Sequence, residues 1–564
     1  MKIIIVGGVA GGASCAARLR RLDEKDEIIV FEKDEHVSFS NCSLPYYLGG
    51  LIQKPEKLVM MSPEKFLKQY NIKVRTMSEV TAISRKSKTV SVLDRTKNST
   101  SEESYDKLVL SPGAAAIVPP IPGIELVNKH VVRNVGDVVG LKKSITPAAG
   151  QKITMIGGGF IGVEVAENLK EAGYDVTLVE AMPQILRIYD ADMVQLLQKA
   201  LVDHGIELVL NDKVSSFEKD TVVLSSGRKI AAAAVVMAIG VSPEIRLAKA
   251  AGLALGVTGA IAVDAECRTN DPDIYAVGDA IEVDHALLNE KFKIALAWPA
   301  QIQARGAADS IKGKPFSNPA YIGSSCIKVF EYNAASTGLT EAQIARMKSP
   351  VSYDIALISP NDIVGIMPGA TPVFLKVIFE KPSGRILGAQ AISKGAADKR
   401  IDAIATAMHF GATIRDMVDL ELCYAPPFST AKDVVNMAGY VGSNLLAGAF
   451  KQVLPSELRK LVESGAYIMD VREQPELAAG VVRGSKNIPL SQLRARVGEI
   501  PKDRPVYVHC RSGQRSYNAV LALQNLGYSQ VYNMAGGFLF FSFNEYMQDL
   551  LAKRESVLTG YNFN

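Results

Sequence analysis

A pattern written twice constrains this chain most: a short apolar run, a glycine-rich turn, a helical stretch, and an acid ending the next apolar run. Residues 2–6 (KIIIV) read as a buried strand, followed by Gly7-Gly8-Val9-Ala10-Gly11-Gly12 and the helical stretch ASCAARLRRLD. The next strand, EIIVFE, ends at Glu32, 20 residues after Gly12. Residues 152–156 (KITMI) lead into Gly157-Gly158-Gly159-Phe160-Ile161-Gly162, and DVTLVE ends at Glu180, 18 residues beyond Gly162. This is the Rossmann arrangement, in which amides at a helix N-terminus take a pyrophosphate and the acid takes ribose hydroxyls. Gly157, Gly159 and Gly162 fit G-x-G-x-x-G fully, whereas the first turn has Val9 where the second glycine usually stands. Two dinucleotides bound side by side are expected. Glu180 favours NADH over NADPH, because a carboxylate repels a ribose phosphate and no arginine follows it immediately.

The 564 residues are enough for about three to four domains at roughly 150 residues each. Lys plus Arg number 63 and Asp plus Glu 59, a net charge of +4. That excess is too small and too scattered for a nucleic-acid partner. Six cysteines (Cys15, Cys42, Cys267, Cys326, Cys423 and Cys510) include no C-x-x-C, and six histidines are equally dispersed. Neither a metal centre nor a disulfide scaffold is expected. The apolar N-terminal stretch is broken by glycines at 7, 8, 11 and 12, a strand–turn–helix rhythm instead of a secretory signal. The later apolar run Ala231–Val241, 11 residues long, is too short to span a bilayer. A cytoplasmic protein with no membrane contact is expected, where lone thiols stay reduced unless they are working.

The segment 269–280 (TNDPDIYAVGDA) resembles the second flavin motif of the pyridine nucleotide-disulfide oxidoreductases. Residues 110–123 (LSPGAAAIVPPIPG) and 238–244 (AIGVSPE) resemble that family's crossings between its flavin and nicotinamide domains. The resemblance runs through residues 1–445. It implies an α/β chain with two nested Rossmann-like domains, FAD-binding at 1–110 plus 260–320 and NAD-binding at 111–259. An α+β dimerisation domain would occupy 321–445 and make a homodimer. FAD would be held by Gly7, Gly8, Ala10, Gly11, Gly12, Glu32, Gly113, Asp279 and Ala297, and NADH by Gly157, Gly159, Gly162, Glu180 and Gly240.

Cys42, within Ser38-Phe39-Ser40-Asn41-Cys42-Ser43-Leu44-Pro45-Tyr46, is the cysteine expected to react. A lone redox thiol over a flavin can hold a mixed disulfide or persulfide, or become a sulfenic acid. The first chemistry makes a thiol-disulfide reductase and the second an NADH oxidase or peroxidase. The run resembles coenzyme A-disulfide reductases and related NADH-dependent persulfide reductases. Asn41 stands where peroxidases carry Ser, and Ala10 where they carry a His. By the same resemblance Arg18, Arg21, Ser38 and Asn41 handle coenzyme A. An arginine fork suits phosphate oxygens, although the residues alone fit a solvated helix face equally well. Residues 421–428 (ELCYAPPF) resemble a segment that reaches across the dimer, which would bring Tyr424 to the partner's reactive cysteine. Residues 365–369 read GIMPG, where relatives often carry a tyrosine before PG. The missing hydroxyl favours the smaller persulfide as substrate.

After a linker at 446–456 the texture changes. Residues 467–473 (YIMDVRE), 484–489 (GSKNIP), 506–516 (VYVHCRSGQRS) and 533–538 (NMAGGF) together resemble a single-domain α/β rhodanese over 457–564. A strand delivers Cys510 into a short turn that opens a helix. The turn's amides with Arg511 and Arg515 would form an anion-binding nest that lowers the thiol pKa and stabilises a persulfide. Cysteine–arginine loops also serve cysteine phosphatases, and a rhodanese can be an inactive docking unit. The other four cysteines read as packing residues. The expected ligands are therefore FAD, NADH and small thiol or persulfide substrates of the coenzyme A class.

Overall fold

A computed structural model describes residues 1–146, 151–347 and 349–563, which form two units. Met1–Pro183 and Gly205–Tyr321 make the first; Gln184–His204 and the chain from Ile322 onward make the second.

The first unit holds two parallel sheets. One orders its strands Ile274–Ala276, Lys107–Leu110, Lys2–Val6, Glu27–Phe31 and Lys73–Arg75. Ile3, Ile4 and Ile5 are all fully buried, because a strand covered on both faces needs a continuous apolar run and not an alternating one. The other sheet runs Glu207–Val209, Asp175–Val179, Lys152–Ile156, Ala234–Met237 and Lys129–His130. Short strands Ala114–Ala116 and Val241–Pro243 pair antiparallel. They carry the chain out of the first Rossmann layer and back, so the second is inserted in the first. Helix Ala10–Leu22 packs its Ala13, Ala16 and Leu19 into one core with Ala304, Ala307 and Ala308 of helix Ala297–Ile311. Small side chains let these two helices approach closely.

In the second unit a five-stranded antiparallel sheet orders Ser325–Val329, Tyr332–Gly338, Ile386–Ser393, Val373–Glu380 and Tyr353–Ile358. Helices Ala397–His409 and Val434–Leu446 complete the expected α+β layer. Gln184–His204, drawn from the middle of the 111–259 stretch, is tied to this sheet by charge. The fully buried Lys376 ammonium lies 3.2 Å from Asp190, 2.9 Å from Asp192 and 2.5 Å from Glu341. Burial opposes its charge, but the three carboxylates outweigh that and raise its pKa. These carboxylates lie close enough to one another to share a cation, and Lys376 supplies it.

A parallel sheet follows in the same unit, ordered Lys451–Val453, Val531–Met534, Val506–His509, Tyr467–Asp470 and Lys486–Asn487. Lys451–Val453, expected within the linker, is instead an edge strand paired with Val531–Met534. This α/β layer is docked, not strung. Phe374 of the antiparallel sheet packs on Phe540 and Phe543 at centroid distances of 5.7 and 5.3 Å. Asn444 donates to the Tyr517 hydroxyl at 3.1 Å, and Gln452 to the Ile355 carbonyl at 2.6 Å.

Two of the four cysteines read as packing residues are buried, and burial raises both thiols, Cys15 to about 12. Cys326 and Cys423 are exposed instead. Cys326 occupies an outward position of the edge strand Ser325–Val329, and Cys423 lies in an irregular exposed stretch. Among the described residues no helix is long and apolar enough to cross a membrane.

Candidate active sites at two cysteines

The two glycine turns share one geometry. A Cβ at Gly12 would stand 1.8 Å from the Gly7 carbonyl oxygen, and one at Gly162 1.9 Å from that of Gly157. Only glycine permits the helix to start so close to the strand. Glu32 accepts from the Gly8 amide at 2.8 Å, and Glu180 from the Gly158 amide at 2.7 Å. Each acid thus stands at the mouth of its turn, and burial pushes the Glu32 carboxyl up despite the amides that it accepts from. Helices Ala10–Leu22 and Phe160–Glu171 have no acid in their first turn, so their positive ends are free for an anion. A Cβ at Gly159 would meet nothing within 4 Å, which leaves the backbone open to a pyrophosphate. Ala10 and Gly11 lie in the first turn of their helix. Gly113 takes a left-handed φ of +70°, Gly240 one of +123°, and Ala297 opens its helix.

Asp279 sits in the 3-10 turn Gly278–Ala280. Burial pushes its carboxyl up, and Arg133 at 3.8 Å only partly offsets this. Its oxygens therefore retain acceptor capacity for ligand hydroxyls. These residues fit FAD in the first turn and a nicotinamide dinucleotide in the second. Cys42 lies in the 3-10 turn Asn41–Ser43, just before helix Leu44–Leu48. Although the residue is exposed, partial burial of its sulfur, and then the charges of Glu164 and Asp279, raise the thiol. Glu164 was not legible as a site residue. Burial and the neighbouring Glu167 push its carboxyl up to about 7. Its only sequence signal is an acid two residues after Gly162.

Arg18, Arg21 and Ser38 line a cavity of about 450 Å³ together with Tyr70, Trp298 and Arg305. Asn41 lies outside this lining. Arg18 is already matched: Asp309 accepts from its Nε at 2.9 Å and its Nη2 at 2.6 Å. Arg21 and Arg305 are the less constrained cations. Trp298 and Arg305 were missed, although the chain's one tryptophan with Arg305 seven residues on marks a single helix face. In the second unit Tyr424 and Phe428 are 49% and 70% exposed, and Ile366 is 90% exposed. Such exposed apolar side chains are the texture of a contact surface.

Cys510 follows strand Val506–His509 and precedes helix Gln514–Asn525. Its Sγ accepts from the Gly513 amide at 3.1 Å and faces the Ser516 hydroxyl at 3.6 Å. Behind the loop Asp470 and Arg472 form a fully buried pair at 2.7 Å. Burial opposes the Asp470 charge, but the Arg472 guanidinium, donating to it at 2.7 Å, helps hold the carboxyl below the usual range. Burial in turn lowers the His509 pKa. Arg511 follows Cys510 directly in the chain and Arg515 takes the second position of the helix after it, and both are half-buried. Arg515 is clamped by Glu476, a partner the motif did not name.

Residues 1–304 match the pyridine nucleotide-disulphide oxidoreductase family, 324–434 its dimerisation domain, and 454–542 the rhodanese-like domain. A coenzyme A disulfide reductase of Staphylococcus epidermidis is 37% identical over 445 residues, 78% of this chain and 99% of that protein. The reduced CoADR-RHD of Bacillus anthracis superposes with a TM-score of 0.93 at 46% identity, covering 97% of this chain and 98% of that one. A NAD-dependent persulfide reductase from A. fulgidus gives a TM-score of 0.91 at 34% identity, covering 96% and 100%. The chain belongs to the pyridine nucleotide-disulphide oxidoreductase family, as a FAD-dependent, coenzyme A disulfide reductase-like enzyme with a C-terminal rhodanese domain.

Proposed function

We propose that the enzyme uses NADH to reduce a coenzyme A persulfide, with polysulfide or coenzyme A disulfide as related substrates. Cys42 is the single redox thiol, and Cys510 handles sulfane sulfur. The observation that carries this reading is the placement of Cys42, which feels the charge of the flavin-motif residue Asp279 and has no second cysteine in its own segment. The Gly7–Gly12 turn with Glu32 and Asp279 would hold FAD, which would supply two-electron transfer between NADH and sulfur. NADH takes the Gly157–Gly162 turn and Glu180. Arg18, Arg21, Ser38 and Asn41 hold the coenzyme A nucleotide and phosphates, aided by Trp298 and Arg305, which line one cavity with the first three of these. Cys42 attacks the inner sulfur of CoA-S-SH, forming a Cys42–CoA disulfide while hydrosulfide leaves with the electron pair of the S–S bond. Two electrons then free coenzyme A. Overall, CoA-S-SH, NADH and a proton give CoA-SH, hydrogen sulfide and NAD⁺.

The dimerisation-domain match and the exposed 424–428 segment support a homodimer in which Tyr424 donates to the thiolate leaving the partner's active site. The test is to reduce the purified enzyme with NADH and titrate it with candidate acceptors, following flavin absorbance and sulfide release. Stoichiometric sulfide from CoA persulfide supports the reading. Turnover confined to oxygen or peroxide would show instead that Cys42 cycles through a sulfenic acid.

A further inference from the structure

The loop around Cys510 is not uniformly cationic. Nη1 and Nη2 of Arg515 donate to the two carboxylate oxygens of Glu476 at 2.6 and 2.7 Å, a parallel two-bond clamp. The Glu473 amide donates to the same carboxylate at 3.0 Å and fixes it from behind. The Arg515 hydrogen bond first holds the Glu476 carboxyl below the usual range, so the acid is charged at neutral pH. Arg515 is also within electrostatic reach of the Cys510 sulfur, so the clamp belongs to the reacting centre. Arg472 is matched by Asp470, and the buried His509 is held toward its neutral form. Among the described residues Arg511 makes no side-chain hydrogen bond or ion pair. Of Arg472 behind the loop and Arg511 and Arg515 within it, Arg511 alone lacks a carboxylate partner.

Resting on the sulfurtransferase reading above, we infer that Glu476 is a specificity-determining residue. By cancelling the Arg515 charge it makes the loop accept sulfur from a monoanionic persulfide in preference to dianionic thiosulfate. In either transfer the Cys510 thiolate attacks the donor's outer sulfur, the Sγ–S bond forms, and the donor S–S bond breaks. Its electron pair leaves as a thiolate from a persulfide, or as sulfite from thiosulfate, and Cys510 carries the persulfide. The encounter gathers two negative charges with a persulfide and three with thiosulfate. One uncompensated guanidinium suits the first and two would suit the second.

The full-length enzyme, without NADH so that the reductase centre is idle, is mixed with thiosulfate or pantetheine persulfide. Loading of Cys510 is followed by rapid quench and the mass gain of one sulfur atom. Glu476→Gln is expected to raise the thiosulfate rate about tenfold relative to the pantetheine persulfide rate. Glu476→Asp, which keeps the charge but loosens the clamp, should hold the donor ratio within about twofold, whatever its absolute rates. A Glu476→Gln enzyme that slows both donors equally, or leaves their ratio unchanged, reduces Glu476 to a structural support and overturns the inference. A Glu476→Asp enzyme whose donor ratio shifts as far as that of Glu476→Gln overturns it too. Wild-type enzyme loaded by neither donor would defeat the sulfurtransferase reading itself, a separate outcome.

Discussion

Cys42 and Cys510 are both lone thiols placed by short loops, yet their surroundings are opposite in sign and shape. Cys42 is exposed and raised by partial burial and two acids, Glu164 and Asp279. Cys510 is 1% exposed, with a backbone N–H on its sulfur and an arginine within reach. The first setting disfavours a standing thiolate until ligands change its surroundings. The second surrounds its sulfur with donors, the Gly513 amide at 3.1 Å and the Ser516 hydroxyl at 3.6 Å. One centre is thus suited to electrons on demand, and the other to storing and passing a sulfur atom.

The widest separation should come from the cysteines themselves. Cys42→Ser should cut NADH-driven sulfide release about a thousandfold while Cys510 still loads with sulfur, and Cys510→Ser should do the reverse. If either change silences both assays, the two centres form one indivisible site. Next is Asp470→Asn, which strips the buried Arg472 of its partner and should cost about 3–5 kcal/mol of rhodanese stability. Thermal melts of the full chain, read beside flavin fluorescence, should show that loss with the flavin retained. The Asp470 carboxyl lies below the usual range. Its contribution is therefore present above the unfolded value of about 3.9 and disappears as pH falls through the folded value.

A third change acts upstream of Cys42 alone. Gly162→Ala places a Cβ 1.9 Å from the Gly157 oxygen. It should raise the KM for NADH about ten- to a hundredfold, with sulfur loading of Cys510 untouched. The smallest effect concerns Glu164, whose carboxyl titrates at about 7. Above that pH its charge raises the Cys42 thiol, so Glu164→Gln should speed iodoacetamide alkylation of Cys42 about threefold at pH 8.5 and leave it unchanged at pH 6. Equal rates at both pH values would show that Asp279 and burial set the thiol without Glu164.

The parts of the fold legible in the sequence were those written locally. The Gly157–Gly162 turn, its strand and Glu180 lie within thirty residues, and the loop from Cys510 to Arg515 is contiguous. Fold class followed from these, because a glycine that abuts a carbonyl leaves the backbone few alternatives. Partners distant in the chain stayed hidden. Asp309 matches Arg18 across 291 residues, and Glu476 clamps Arg515 across 39, with no spacing rule to announce either. Lys451–Val453 looked like linker because a three-residue edge strand is too short to show a period. Cys326 and Cys423 looked like packing because composition carries no direction, and only the strand register turns one of them outward.

The contacts of Phe374 with Phe540 and Phe543, and of Asn444 with Tyr517, change what kind of journey sulfur can make. A domain swinging on a loose tether would search a volume, at a rate governed by tether length. Docked on the antiparallel sheet, this domain makes no such search, and a sulfur held on Cys510 would be collected by a carrier that comes to the loop. Diluting the enzyme should then leave the transfer rate per molecule unaltered when the carrier stays bound. Added free carrier should compete with the transfer when it does not.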